Sequence, residues 1–215
     1  GERVAFFYIN LSAIFVILFS HKLLKLRLIT LGISLMIIVL VSLMYPAAKE
    51  RVIDQTMNQM NLFNENKKEN NGPYIFSKQH SHHYISAYRM FLDNKILGVG
   101  VKNFRNFCNE EKYLISNVSC STHPHNSYIQ VLAELGIIGF LFLILALASF
   151  CYAVIKHFFY KLNNTYFFND FEICILSGIL IFLWPLVPTG NIFNNWLNII
   201  MILNLVFFIW SRKKQ

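Results

Sequence analysis

Apolar residues in this chain come in long blocks separated by polar ones. Val4 to Ser20 and Leu28 to Tyr45 are two such blocks, and after a polar interval follow Leu135 to Ile155, Phe171 to Val187 and Ile192 to Trp210. Each is about as long as a helix must be to cross a hydrocarbon core of roughly 30 Å, so the pattern predicts five transmembrane helices. Residues 46–127 break it. At about 80 residues this interval exceeds an ordinary helix-to-helix connection and marks functional or mobile sequence. Within it, Ala47 to Met60 reads as an amphipathic helix, with Val52, Ile53, Met57 and Met60 on one side and Lys49, Glu50 and Asp54 elsewhere. Asn61 to Pro73 reads as a mobile stretch closed by Gly-Pro. His80 to Asn94 returns to helical spacing through Tyr84, Ile85, Tyr88, Phe91 and Leu92, with Arg89 on the same helix, and Gly98-Val99-Gly100 is expected to stop it and turn the chain. The expected organisation is two spans over 1–45, a polar region over 46–127, and three spans with a tail over 128–215. No repeat of fixed period is present.

Composition agrees with a membrane address. Hydrophobic residues make up 55% and charged residues 14% of the 215, against about 25% charged in soluble domains. The net charge of +8 would suggest nucleic acid only if the basic groups formed one patch on a soluble fold. Instead Lys22, Lys25 and Arg27 occupy the first short connection, Lys156 and Lys161 the third, and Arg212, Lys213 and Lys214 the tail. That is the distribution the positive-inside rule generates. It puts 21–27, 156–170 and the tail in the cytoplasm, and the segment from Pro46 outside. Trp184-Pro185 to Gly190 then makes a tight outer connection on the side of His125. The chain begins with Gly1 and no signal peptide precedes the first run, so it is expected to be the C-terminal part of a longer polytopic protein.

Titratable groups collect where the polar interval meets the third apolar run, in Thr122 to Gly139, THPHNSYIQVLAELGIIG. Asn126 and Ser127 are side chains that accept from the free N–H groups of a first helical turn, so a helix is expected from about Ser127. His125 stands just before it, and an imidazole takes a proton near neutral pH at little cost. The plainer reading of His125 is an interfacial histidine that caps the helix. His123 is the second of the pair, and Asn126 is placed to orient His125 or to touch a sugar. Glu134, near the head of the run, is expected to pair or to face a polar cavity, because a carboxylate is costly to bury there. His80, His82 and His83 together with His123 and His125 invite a metal reading. No ligand set at a recognisable spacing such as His-Glu-x-x-His accompanies them, so no metal site is assigned. Cys108 and Cys120 lie in the outer region and, in an oxidising compartment, are expected to form a disulfide; the alternative is two unpaired small side chains.

The stretch HPHNSYIQVLAELGIIG resembles the His-Asn-aromatic-Leu-Gln…Glu-x-Gly-x-x-Gly signature of the O-antigen ligase and polymerase superfamily of bacterial envelope glycosyltransferases. Gly1-Glu2-Arg3 before an apolar run resembles that family's Gly/Ser-x-Arg element. Tyr88-Arg89…Ile96-Leu97-Gly98-Val99-Gly100…Phe104 resembles its Arg…Pro-hydrophobic-Gly-x-Gly…Phe element, with Ile96-Leu97 where the family carries Pro. The three occur in family order. The resemblance implies an all-α polytopic membrane protein of GT-C-like architecture, in the bacterial inner membrane, with a helical periplasmic loop roofing the active site. It implies inverting, metal-independent transfer without a cofactor, from a glycan on undecaprenyl diphosphate to a lipid A core oligosaccharide. His125 would be the base. Arg89 and Arg3 would bind the diphosphate, since guanidinium offers a charged planar fork to phosphate oxygens; otherwise Arg3 snorkels to lipid headgroups and Arg89 pairs with Asp93 at i+4. An O-antigen polymerase and a protein O-oligosaccharyltransferase are alternatives within the class, and a transporter or membrane scaffold is one outside it. A transporter would carry broken spans with ionisable groups near the midplane.

Overall fold

The computed structural model describes residues 2–45, 50, 58, 74 and 76–214. Those residues are helical and loop, without a strand among them: α1 Glu2–Phe19, α2 Leu24–Met44, α3 Lys78–Asp93, the short α4 Phe104–Phe107, α5 Ser127–Leu162, α6 Asp170–Leu183 and α7 Asn195–Lys213. Three helices, α2, α5 and α7, are long and apolar enough to cross a membrane, and α1 contributes a shorter apolar stretch, Val4–Phe19. The helix expected over 47–60, apart from Glu50 and Asn58, and the stretch 61–73 lie outside the described residues. α6 is shorter than its apolar run. Its 14 residues rise only about 21 Å, because Pro185 drives Trp184 out of the helical region, to ψ 122.

Two compact units divide the described residues. One contains α1, α2 as far as Ile38, α5 from Ile144, and α6 and α7. In it α6 packs on α1 and α7, with the Ser12 and Ser177 hydroxyls 3.1 Å apart. Side chains gather on the carbonyls at the end of α1: Arg27 donates to Val16 O at 2.7 Å, which also accepts from Ser20 N, His157 Nε2 donates to Phe19 O at 3.0 Å, and Lys161 to Ser20 O, just past the helix, at 3.1 Å. Cationic groups at a helix C-terminus also oppose its dipole. His157 Nδ1 accepts from Phe168 N, which leaves the proton on Nε2. Asn169 and Glu172 close a capping box on α6, and the buried Glu172 carboxylate also accepts from Ser211 and pairs with Arg212. Basic residues that mark topology in the sequence thus also fasten helix ends.

The other unit contains residues from Val39 to Leu143 together with Pro185–Phe193. Its organising feature is a break in α5 at Gly136, where φ is 63 and ψ is −160. A break frees carbonyls before it and N–H groups after it, and in apolar surroundings each needs a partner. The segment after α3 supplies four such partners. Val99 N donates to Ala133 O and Gly100 N to Glu134 O, both at 2.9 Å, while Lys95 O accepts from Ile137 N at 2.8 Å and Ile96 O from Ile138 N at 3.5 Å. Contact is so close that a Cβ on Gly98 would fall on the Glu134 carbonyl and one on Gly136 on the Ile96 carbonyl. Both glycines also have positive φ. α3 itself ends earlier, at Asp93 with Asn94 as its cap, so Gly98 and Gly100 serve the approach to α5 and not the stop.

Gly98→Ala and Gly136→Ala should each destabilise the folded protein by on the order of 2–3 kcal/mol, from left-handed strain plus backbone collision. Gly32→Ala is the control, since nothing lies within 4 Å of its added Cβ. Thermal unfolding of the detergent-solubilised protein should show a lowered midpoint for the first two and no loss for the third; equal midpoints would refute the clip.

Candidate active site

The clip brings α3 and α4 onto the head of α5. Ala87 and Met90 of α3, Phe104 of α4, Ala133 of α5 and, from the loop between α4 and α5, Tyr113 form one buried cluster with Cys108. Glu134 is fully buried beneath it. Its carboxylate accepts from Lys102 N at 2.8 Å, Phe104 N at 3.1 Å and Gln130 Nε2 at 3.2 Å. Three donors satisfy an otherwise expensive buried charge, so Glu134 holds the 102–104 backbone and is not available as a base. Cys108 and Cys120 are joined by a disulfide with Cα atoms 5.1 Å apart, which ties the end of α4 to the strand of chain leading into His123.

Asn126 starts α5 by accepting from Tyr128 N and Ile129 N at 3.0 and 3.1 Å. Its amide nitrogen donates to Pro185 O at 2.9 Å. The side-chain oxygen thus serves as the cap and one amide N–H as a tie to the 185–193 segment. The 185–193 segment is strapped to the same turn. Thr189 N donates to His125 O at 2.8 Å, and the Thr189 and Ser127 hydroxyls lie 2.9 Å apart. Gln130, fully buried, donates to Asn191 Oδ1 at 2.9 Å and accepts from Ile192 N at 3.2 Å.

Four imidazoles meet over this turn. The His125 ring lies 4.2 Å from His123, 5.4 Å from His83 and 5.5 Å from His80, centre to centre. His123 is fixed on both nitrogens: Nε2 faces Thr189 O at 3.3 Å and must carry the proton, so Nδ1 accepts from Thr122 Oγ1 at 2.9 Å. His80 Nδ1 meets Ser77 Oγ, the α3 cap, at 2.7 Å. His125 differs. Its backbone is held with φ at 59, yet among the described residues its ring makes no hydrogen bond, and it is only half-buried. Burial, then the neighbouring rings, push His83 and His123 down to about 4; Arg105 adds to this at His123. Burial also lowers His125 below the ordinary histidine value. Among the described residues no group of three or more His, Cys, Asp or Glu is arranged to hold a metal ion.

Of the residues the sequence pointed to, His123, His125, Asn126, Glu134 and the cysteine pair converge here. Arg89 does not join the rings. It lies six positions from His83, roughly 120° around α3, exposed, with its guanidinium 3.4 Å from Lys112 O. Arg3 is in the first turn of α1, in the other unit. Sequence reasoning missed Gln130, Thr189 and Asn191 as the frame of the site. It saw His80 and His83 only as metal candidates, although their i, i+3 spacing puts both on one helix face.

The family profile described as O-Antigen ligase matches residues 1–144, two thirds of the chain. No curated protein matches. The matched region contains the α3 to α5 clip and both His123 and His125, and the Thr189 to Ile192 strap lies beyond it.

The buried neutral histidines give stability a defined pH dependence. In the unfolded chain they titrate near 6.5, above their folded values of about 4. The unfolded state therefore binds protons first as pH falls, and their contribution is complete above about pH 6.5 and is lost towards pH 4. The unfolding midpoint should drop steeply across that window, and less steeply in His83→Asn. A wild-type midpoint that stays level from pH 7 to 4.5 would contradict the buried, neutral assignment.

Proposed function

The chain belongs to the O-antigen ligase family, and from that premise we propose that it transfers a glycan from undecaprenyl diphosphate to a sugar hydroxyl of the lipid A core. The reaction is placed at the periplasmic face of the bacterial inner membrane, which fits the apolar helices and the outer position assigned to the polar region. The observation that carries the role of His125 is its place on the turn: His123, Asn126 and Ser127 are each tied by side-chain hydrogen bonds, while among the described residues the half-buried His125 ring makes none and burial keeps it neutral.

In the proposed step a ring nitrogen of His125 takes the proton from the acceptor hydroxyl. The freed oxygen bonds to the anomeric carbon as the bond from that carbon to the diphosphate oxygen breaks, and the electron pair departs with the diphosphate. Attack opposite the leaving group inverts the centre. A diphosphate leaves readily, so no second carboxylate acting as an acid is needed, unlike the carboxylate pairs of glycoside hydrolases. Arg89 and Arg3 are assigned to the departing charge. Arg105, on α4 and close enough to His123 to lower its pKa, is added to them.

The test supplies full-length protein in proteoliposomes with undecaprenyl-diphosphate glycan and lipid A core, and compares wild type with His125→Gln. Glycosylated lipid A core, resolved by gel and mass spectrometry, should form with wild type and fall by about 10²–10⁴ in the variant, the usual contribution of a general base. Undiminished transfer by His125→Gln would remove the base assignment. Lengthened polyprenyl-linked glycan in place of a lipid A product would make the protein a polymerase.

A further inference from the structure

α3 carries two apolar faces, and only one is used by the protein. His83, Ser86, Ala87 and Met90 are buried. Ile85, Tyr88 and Leu92 are 45%, 49% and 44% exposed, and at about 100° per residue they stand on the opposite side of the helix. The stripe does not end with the helix. Ile96 and Leu97, which follow it, are 64% and 71% exposed. Five large apolar side chains in a row on one outer surface mark an interaction site and not the scattered exposure of an ordinary surface.

What covers this stripe follows from where the clip holds it. Lys95 O and Ile96 O accept from Ile137 N and Ile138 N, so the backbone carrying Ile96 and Leu97 is bonded to the first turn of α5 after its break. From there α5 continues through the exposed Ile137, Ile138, Leu141 and Phe142 as a helix long and apolar enough to cross a membrane. The stripe is thus continuous with a lipid-facing surface. Its edge is mainly basic: Lys78 and Arg89 lie next to Ile85 and Leu92 around α3, and Lys95 and Lys102 lie at its far end, all exposed, while the exposed Asp93 on the same edge is paired with Lys112. An apolar strip rimmed by cations is the chemistry of a helix lying in a membrane interface, its apolar face about 5–10 Å into the acyl boundary and its cations among anionic headgroups.

We infer that the Ile85, Tyr88, Leu92, Ile96 and Leu97 surface is embedded in the outer leaflet of the bilayer that α5 crosses, with Ile96-Leu97 as its deepest point. α3 then lies flat on the membrane with His80 and His83 turned away from the lipid, and the imidazole cluster is held at the headgroup level by the same helix. This rests on α5 as a membrane span and is independent of which glycan is transferred.

Spin labels test it in the full-length protein in proteoliposomes containing anionic lipid, without any need for activity. In a Cys151→Ser, Cys174→Ser background that keeps the Cys108–Cys120 disulfide, Leu92→Cys and Leu97→Cys are labelled one at a time. Phe142→Cys is the lipid-facing reference and Glu110→Cys the aqueous one. Leu92 and Leu97 should resemble Phe142, with oxygen collisions several-fold favoured, relative to Glu110, over those of a water-soluble nickel chelate. Labels that resemble Glu110 would place the stripe in water, and labels shielded from both reagents would show it covered by protein; either result overturns the inference. Ile85→Cys repeats the measurement about two helical turns earlier, so a single ill-tolerated label does not decide it.

Discussion

A helix broken where its sequence turns apolar frees backbone N–H and C=O groups that need partners, and the unit around His125 is built on supplying them. Each unmet group would cost several kcal/mol in a lipid-like setting. The exposed ion pairs of Lys112 with Asp93 and Glu110 at 3.7 and 3.6 Å are screened by water and contribute little. The backbone clip therefore outweighs the surface charges by a wide margin. It also dictates sequence. Gly98 and Gly136 are needed because two main chains touch there, and the turn after α3 has to end at the height of Gly136. Glu134 extends the same principle to side chains by gathering the Lys102 and Phe104 N–H groups.

The imidazole cluster works by what surrounds it and by what is kept away. Among the described residues no hydrogen bond of His83, His123 or His125 goes to a carboxylate, and Glu134 is spent on the 102–104 backbone. Rings this close, with burial added, resist holding a proton at rest. In the proposed reaction a proton reaches His125 only as the diphosphate departs with its charge, so the two new charges arise together and stabilise each other. A resident carboxylate beside His125 would instead favour the protonated ring before substrate arrived and leave no base. Lowered basicity in the resting state is thus the condition for availability, and it is set by packing more than by any one partner.

Much of this was legible along the chain. Asn126 and Ser127 announce the start of α5, and the cap is found there. The apolar spacing of residues 80–94 anticipates α3 to within two residues. Other features depend on contacts that no local pattern encodes. Gly98-Val99-Gly100 reads equally well as a stop signal or as a place of close approach, and only the partner helix decides between them. The break at Gly136 hides inside an unbroken apolar run, since hydropathy does not register one residue with positive φ. Of the uses Asn126 offers in the sequence, the cap is seen in its oxygen, which takes two helix N–H groups, whereas the tie of its amide to Pro185 depends on a segment 59 residues away. The helical period alone separates Arg89 from the rings: six residues from His83, it stands about 120° around α3.

Gln130 explains why the site is one object although its parts come from distant stretches of sequence. Its amide nitrogen bonds both Glu134 and Asn191, and its oxygen accepts from Ile192 N. Through Glu134 it touches the clip of residues 95–104, and through Asn191 and Ile192 the strap that holds the His125 carbonyl by way of Thr189. A displacement of the strap must therefore either break a buried hydrogen bond of Gln130, at about 1–3 kcal/mol for each group left unmet, or pull on the Glu134 carboxylate and the α4 backbone with it. His125 sits between those two restraints with its backbone fixed and its ring free. That combination is hard to reach with side-chain packing alone, because packing that immobilised the backbone would also have filled the space the ring needs to meet a substrate.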